Sequence, residues 1–195
     1  MTTATKPHAP WVERASWPDV ETAIADFQAG RPIQHNQAVA RYLAIPRAMT
    51  CALALDVCCG AGQGSLILRA KGYQVRAFDE CGGCGALLAG HGVAFTCCAF
   101  EDYEPGLRFD LVACCDALEH LEHPARVLGS IREWLMPGGR LWLAVPMEGD
   151  GPSRNPFHVN SWSRRSLMQL LTDTGWLVDR EYAPLNHDAF WGLLR

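Results

Sequence analysis

From Ala52 onward, short continuous apolar runs alternate with stretches whose apolar residues recur every three or four positions. The runs Ala52–Cys58, Tyr73–Asp79, Val93–Ala99, Phe109–Cys115 and Arg140–Pro146 predict five strands. A near-continuous run such as Leu141-Trp142-Leu143-Ala144-Val145 is the signature of a strand covered on both faces. Ser65 to Lys71 reads as a helix. Pro124 sits at a first-turn position of another, with Val127, Leu128, Ile131, Trp134 and Leu135 on one face and Pro137-Gly138-Gly139 as its stop. Ser163 opens a further helix that buries Leu167, Leu170 and Leu171 and ends at Gly175. The last two predicted strands, Trp176–Ala183 and Ala189–Leu194, are joined by Pro184 to Asp188, too short for a crossover helix, so they pair antiparallel. Ahead of the first strand, Ser16 caps a helix with Val20, Ile24 and Phe27 on one face and Gly30 as its stop, and a second short helix covers Asn36 to Ile45. Glu80 to Gly92 is a weak helix, rich in Gly and Cys. The pattern is α/β: a mostly parallel sheet with helices on both faces and an antiparallel hairpin at its C-terminal edge.

Between the first strand and its helix lies Leu55-Asp56-Val57-Cys58-Cys59-Gly60-Ala61-Gly62-Gln63-Gly64. A strand entering a glycine-rich turn before a helix brings backbone close to a ligand, because glycine has no Cβ to fend it off. Nineteen residues after Gly60, the second strand ends in Asp79. In doubly wound sheets an acid at that offset bonds a ribose, which points to an adenosine-containing cofactor. A strand-end acid also caps the helix that follows it. The dinucleotide fingerprint G-x-G-x-x-G would place its third glycine at position 65, which is Ser65; the third glycine is Gly64 instead.

At 195 residues, 49% hydrophobic and 19% charged, the chain suits one globular domain with a sizeable core. The expected organisation is an N-terminal helical lid segment, 1–50, on a cofactor-binding domain, 51–195, together one compact unit. No apolar stretch reaches the roughly 20 residues needed to cross a bilayer. The N-terminus, with Lys6, Pro7, His8, Pro10 and Trp11, lacks a signal peptide's apolar core, so the expected setting is cytoplasmic with no membrane partner. A net charge of −4 gives no electrostatic reason to expect nucleic acid.

Eight of the nine cysteines form four pairs, Cys58/Cys59, Cys81/Cys84, Cys97/Cys98 and Cys114/Cys115, each at or past the end of one of the first four strands. Neighbouring strand residues point to opposite faces, so an adjacent pair offers at most one thiol to a common site. Cys81-Gly82-Gly83-Cys84 alone has zinc-like spacing, and no second such pair answers it. These cysteines read chiefly as small, readily buried residues.

The loop D-x-x-x-G-x-G-x-G resembles motif I of the class I S-adenosylmethionine (SAM)-dependent methyltransferases, with Cys58 where that family usually has Gly or Ala. Phe109-Asp110-Leu111-Val112, then Glu119-His120-Leu121, then Pro137-Gly138-Gly139, then Val145-Pro146 follow the order seen in members acting on small molecules and glycans. Asn155-Pro156-Phe157-His158-Val159-Asn160-Ser161-Trp162-Ser163 is similar to a segment of sugar- and polysaccharide-pathway members, and the match takes in Arg41-Tyr42, covering roughly residues 36 to 180. The resemblance implies the Rossmann-like seven-stranded methyltransferase sheet. It also implies SAM as cofactor, with contacts at Asp56, Cys58, Gly60, Gly62, Asp79, Ala99, Phe100 and Cys115. The acid that meets adenine in many relatives is replaced by Cys98; Glu101, Asp102 or the backbone at Ala99 and Phe100 are the substitutes.

The expected reaction is methyl transfer to a small-molecule or sugar-containing acceptor at oxygen. His120 and His158 are the candidate catalytic bases, because imidazole takes up a proton near neutral pH. The alternative reading is that His120 caps or packs the following turn and His158 holds its loop. Trp11, Trp17 and Trp162 are candidates for closing an acceptor pocket, or for packing a lid onto the sheet. Asp116, Glu119, His120 and His158 also follow the order of the E-x-x-E-H…H metal site of small-RNA 2′-O-methyltransferases; the shorter E-x-x-E-H occurs in ubiquinone-pathway O-methyltransferases. A divalent metal is therefore an alternative, though not the favoured one, since E-H-L is frequent in metal-free relatives. The competing functions are a metal-assisted RNA 2′-O-methyltransferase and a non-catalytic methyltransferase-like partner protein.

Overall fold

The structure, a computed structural model, describes residues 25, 29, 37–49, 51–153, 155–182 and 189–195. Apart from Ala25 and Ala29, the helix expected from Ser16 to Gly30 lies outside the described residues, as do Trp11, Trp17 and the connection 183–188. The described elements begin with α1 (Gln37–Leu43), β1 (Leu53–Val57) and α2 (Gln63–Ala70). Then come β2 (Gln74–Asp79), α3 (Gly85–Gly90), β3 (Ala94–Cys97) and β4 (Phe109–Cys115). The chain closes with α4 (Pro124–Trp134), β5 (Leu135–Pro146), α5 (Arg164–Asp173), β6 (Val178–Tyr182) and β7 (Ala189–Leu194). Three 3₁₀ turns, Gly82–Cys84, Phe100–Asp102 and Leu118–His120, sit just past the ends of β2, β3 and β4.

The strands form one seven-stranded sheet in the order β3-β2-β1-β4-β5-β7-β6. β1 to β5 pair parallel; β7 runs antiparallel to both β5 and β6. The strand order reverses between β1 and β4, and in open α/β sheets ligands lie at such a switch point, beyond the carboxyl ends of the strands. The expected fold class therefore holds, down to the C-terminal antiparallel pair.

Alternation along the strands divides the core. Ala54, Val75, Ala77, Leu111, Ala113, Trp142 and Ala144 face a cluster built with α1, α2 and α3. Leu55, Val57, Phe78, Val112, Leu141, Leu143 and Val145 face α4 and α5 on the other side. A side-chain period of two sends neighbours to opposite faces, and the cysteines obey it: Cys114 joins one cluster and Cys115 the other. Trp162 is 7% exposed and lies in the α4/α5 cluster, so it packs as core rather than lining an acceptor pocket.

Two boundaries differ from the expected ones. α4 ends at Trp134 and β5 starts at once with Leu135, so Pro137-Gly138-Gly139 is inside the strand rather than between helix and strand. The pairing with β4 shifts register between Phe109 and Leu111, absorbing the extra residues as a bulge. A Cβ on Gly139 would sit 2.8 Å from the Phe109 carbonyl oxygen, which is why a glycine stands there. β3 is shorter than expected, four residues at the sheet edge. No helix among the described residues is long and apolar enough to cross a membrane.

Candidate active site

The glycine loop leaves β1 through Cys58, whose φ of 51° is left-handed, a conformation that costs a non-glycine residue about 1 kcal/mol or more. Gly60 (φ 55°) and Gly62 (φ 83°) share it at no such cost. Among the described residues a Cβ on Gly60 would meet nothing within 4 Å, so the loop presents bare backbone there. A Cβ on Gly62 would lie 2.8 Å from Leu88 Cδ2; that glycine is needed for packing against α3.

Asp79 ends β2 beside this loop. Its Oδ2 accepts a hydrogen bond from the Gly60 N–H at 2.8 Å and its Oδ1 one from the Cys81 N–H at 2.8 Å. The carboxylate thus clasps the glycine loop and starts the turn into α3. Each oxygen keeps a second lone pair for a further donor. Both expectations for Asp79, a nucleoside-facing acid and a cap, are compatible with this geometry.

Asp56 stands differently from its expected cofactor contact. It is fully buried beneath the loop, and its oxygens accept from Tyr42 Oη at 2.7 Å and Ser65 Oγ at 2.6 Å. Burial pushes its pKa up to about 6, against the pull of those two hydrogen bonds. Any effect it has on a ligand passes through the loop. Ser65, which in the sequence opens a helix and breaks a dinucleotide fingerprint, is one of its two donors. Cys115 is buried at the end of β4 and its thiol pKa is raised, first by burial. Ala99 is half-buried; the Phe100 ring lies 5.2 Å from that of Trp134 and 6.0 Å from that of Phe78, inside the core. Only backbone at Phe100 is left to meet a ligand. Glu101 and Asp102 are exposed on the 3₁₀ turn.

A second group lies past β4 and β5. Glu119 and His120 end the 3₁₀ turn Leu118–His120, and the Glu119 carbonyl accepts from Val159 N at 2.9 Å and Asn160 N at 3.1 Å, which draws residues 155–160 over the strand ends. The rings of His120 and His158 meet edge to face, centroids 4.9 Å apart. His120 Nδ1 is 2.9 Å from the Phe157 carbonyl oxygen, which only accepts, so Nδ1 carries the proton and Nε2 is the basic nitrogen. His158 Nδ1 lies 2.8 Å from Glu148 Oε2, and Asn155 Nδ2 donates to His158 Nε2 at 2.8 Å. Ser153 Oγ donates to the same Glu148 oxygen at 2.5 Å. Both His158 nitrogens are therefore engaged within the protein.

Glu119 is 1% exposed, and among the described residues its buried Oε2 has no hydrogen-bond partner. Burial raises its carboxyl pKa to about 7, opposed by a backbone hydrogen bond and the Arg41 guanidinium. Glu119, His120 and His158 each offer a ligand atom within 4.8 Å of the others. Asp116, the fourth candidate ligand, is not in that group: it adopts a φ of 51° and its carboxylate pairs with Arg41 from α1. Glu148 was not singled out in the sequence, where a lone acid after a V-P turn carries no signal. A cavity of about 670 Å³ opens at the other end of the strands, by the amino ends of β1 and β2, lined by Leu53, Arg69, Gln74 and Arg76 among others, and no candidate site residue touches it.

A family model described as a methyltransferase domain matches residues 34–181. The chain is 31% identical over 100 residues to a ubiquinone biosynthesis O-methyltransferase of Idiomarina loihiensis, an alignment covering 47% of this chain and 41% of that protein. It is 30% identical over 138 residues to one from Xanthomonas campestris pv. campestris, covering 66% of this chain and 55% of that protein. The chain thus spans about half the length of these curated relatives. Its fold is similar to that of the Burkholderia thailandensis 1,6-didemethyltoxoflavin-N1-methyltransferase, solved with 1,6-didemethyltoxoflavin and S-adenosylhomocysteine. That match has a TM-score of 0.64 at 20% identity, covering 97% of this chain and 91% of the other.

Proposed function

Because the chain belongs to the methyltransferase-domain family, we propose that it moves a methyl group from SAM to a hydroxyl oxygen of a small molecule. The single observation that carries the reading is the clasp of Asp79 on Gly60 beside open space at the switch point of the sheet. The fit is good: bare backbone at Gly60 suits the methionine portion of the cofactor, and the Asp79 carboxylate has acceptor capacity left for ribose hydroxyls. Asp56, Tyr42 and Ser65 hold the loop from below. Bound there, the cofactor supplies a methyl group already activated by its sulfonium.

The chain's own task is to hold and deprotonate the acceptor. His120 Nε2 is the base, in the tautomer that the Phe157 carbonyl enforces. The Glu148–His158–Asn155 group braces the loop that supplies Phe157. An imidazole removes the proton of a phenol, with a pKa near that of Tyr at about 10, far more readily than that of an alkyl alcohol. Phenols are therefore the first acceptors to try, in keeping with the O-methyltransferase relatives, and sugars the second.

The convergence of Glu119, His120 and His158 supports a second reading, in which a divalent ion shares the site. One carboxylate with two imidazoles suits a transition ion better than Mg²⁺. With Asn155 on His158 Nε2, such an ion would have to displace an existing hydrogen bond, and the metal-free reading is preferred. The test is SAM consumption over a panel of phenols and sugars with wild-type and His120→Gln protein. Turnover on a phenol that His120→Gln loses supports the proposal; turnover that survives the substitution removes His120 from it.

A further inference from the structure

Cys59 and Cys84 are the second members of two of the sequence's cysteine pairs, and they meet beside the glycine loop. Their Sγ atoms are 4.0 Å apart, both residues are buried, and none of the nine cysteines is in a disulfide. Cys59 lies in the glycine loop, pinned by its N–H to the Phe78 carbonyl at 3.0 Å and by its own carbonyl to the Gly62 N–H at 2.9 Å. Cys84 closes the 3₁₀ turn that Asp79 and Cys81 begin. The two thiols thus join the two segments that Asp79 also joins.

We propose that this pair is an oxidation site: a hydroperoxide converts Cys59 and Cys84 to a disulfide, and the disulfide weakens cofactor binding. The inference rests on the cofactor reading above. An S–S bond is about 2.05 Å long, so closing it brings the two sulfurs about 2 Å nearer and pulls on both the loop and the start of α3. The loop that moves is the one whose Gly60 N–H Asp79 holds. Cys84 attacks first. Its thiol pKa is lowered, chiefly by the hydrogen bond with Cys59, and it directly follows the exposed glycines Gly82 and Gly83 in its turn.

The steps balance. The Cys84 thiolate forms an S–O bond with a peroxide oxygen as the O–O bond breaks, giving a sulfenic acid and, after protonation, an alcohol or water. The Cys59 thiol then attacks the Cys84 sulfur; the S–S bond forms, the S–O bond breaks, and hydroxide leaves with the Cys59 proton as water. Two thiols lose two electrons in all, and one peroxide gains them. Linkage requires the converse effect: whatever fills the cleft and binds the reduced form better must disfavour the disulfide at equilibrium by the same factor.

The experiment treats the full chain with hydrogen peroxide, maps disulfides by mass spectrometry after alkylation, and measures S-adenosylhomocysteine affinity by calorimetry. The expected results are a Cys59–Cys84 cross-link that dithiothreitol reverses, affinity lowered about tenfold or more, and slower cross-linking when S-adenosylhomocysteine is present. Cys84→Ser, with Cys84→Ala as its companion, should keep its affinity after peroxide. A cross-link of Cys84 to Cys81, no cross-link at all, or Cys84→Ser losing affinity like the wild type overturns the proposal. Failure of the reduced protein to bind S-adenosylhomocysteine would instead overturn the cofactor reading, and the peptide map would still decide whether the pair oxidises.

Discussion

Gly64 and Tyr42 compete for one volume: a Cβ on Gly64 would overlap the Tyr42 ring, whose hydroxyl donates to Asp56 at 2.7 Å. The third glycine of the loop therefore serves a protein contact, between α2 and α1, rather than a ligand. Helix propensity makes the consequence testable. Gly→Ala inside a helix ordinarily stabilises by up to about 1 kcal/mol. Gly64→Ala should instead destabilise by about 1–3 kcal/mol through overpacking. In chemical denaturation, adding Tyr42→Leu should recover part of that loss, and strict additivity of the two changes would contradict the contact.

Asp56 makes stability depend on pH with a definite sign. Its pKa is 3.8 in the unfolded reference and about 6 when folded, so between those values the native state holds a proton that the unfolded state has released. Stability from this group is present below about pH 4 and lost as pH rises to about 6, a swing of about 3 kcal/mol. Asp56→Asn removes the titration. The difference in unfolding free energy between wild type and Asp56→Asn should therefore shift against the wild type as pH rises from about 4 to 6, and then stay flat.

The sheet was readable because buried parallel strands are written as continuous apolar runs and Gly60, Gly62 and Asp79 sit at fixed offsets along them. Cys114 and Cys115 fell on opposite faces for the same reason of alternation. What was hidden depends on distance across the fold. Nothing local marks Ser65 and Tyr42 as the donors to Asp56, nine and fourteen residues away. Nor does any local pattern mark Glu148 as the partner of His158, or Arg41 as the residue that takes Asp116 out of the histidine cluster. The Pro137-Gly138-Gly139 stop was placed outside β5 because a bulge and a helix end share the same residues.

His120 should separate chemistry from binding. If its Nε2 takes the acceptor proton, His120→Gln lowers kcat by about 10²–10⁴-fold and leaves S-adenosylhomocysteine affinity within twofold of the wild type, about the scatter of such measurements. An equal fall in affinity and rate would make the residue structural.

Chelation distinguishes the two readings of the Glu119, His120 and His158 group. Turnover of protein dialysed against a chelator should equal that of the untreated protein, and elemental analysis should find less than stoichiometric transition metal. Loss of turnover that added Mn²⁺ or Zn²⁺ restores would establish the metal reading instead.

On the proposed reading SAM lies beside the Gly60–Asp79 clasp. Calorimetric titration of S-adenosylhomocysteine into wild-type and Asp79→Ala protein tests it most directly. The expected result is one site per chain in the wild type and at least about tenfold weaker binding in Asp79→Ala, with circular dichroism unchanged. No binding to the folded wild type, or equal affinity in the two proteins, would contradict it.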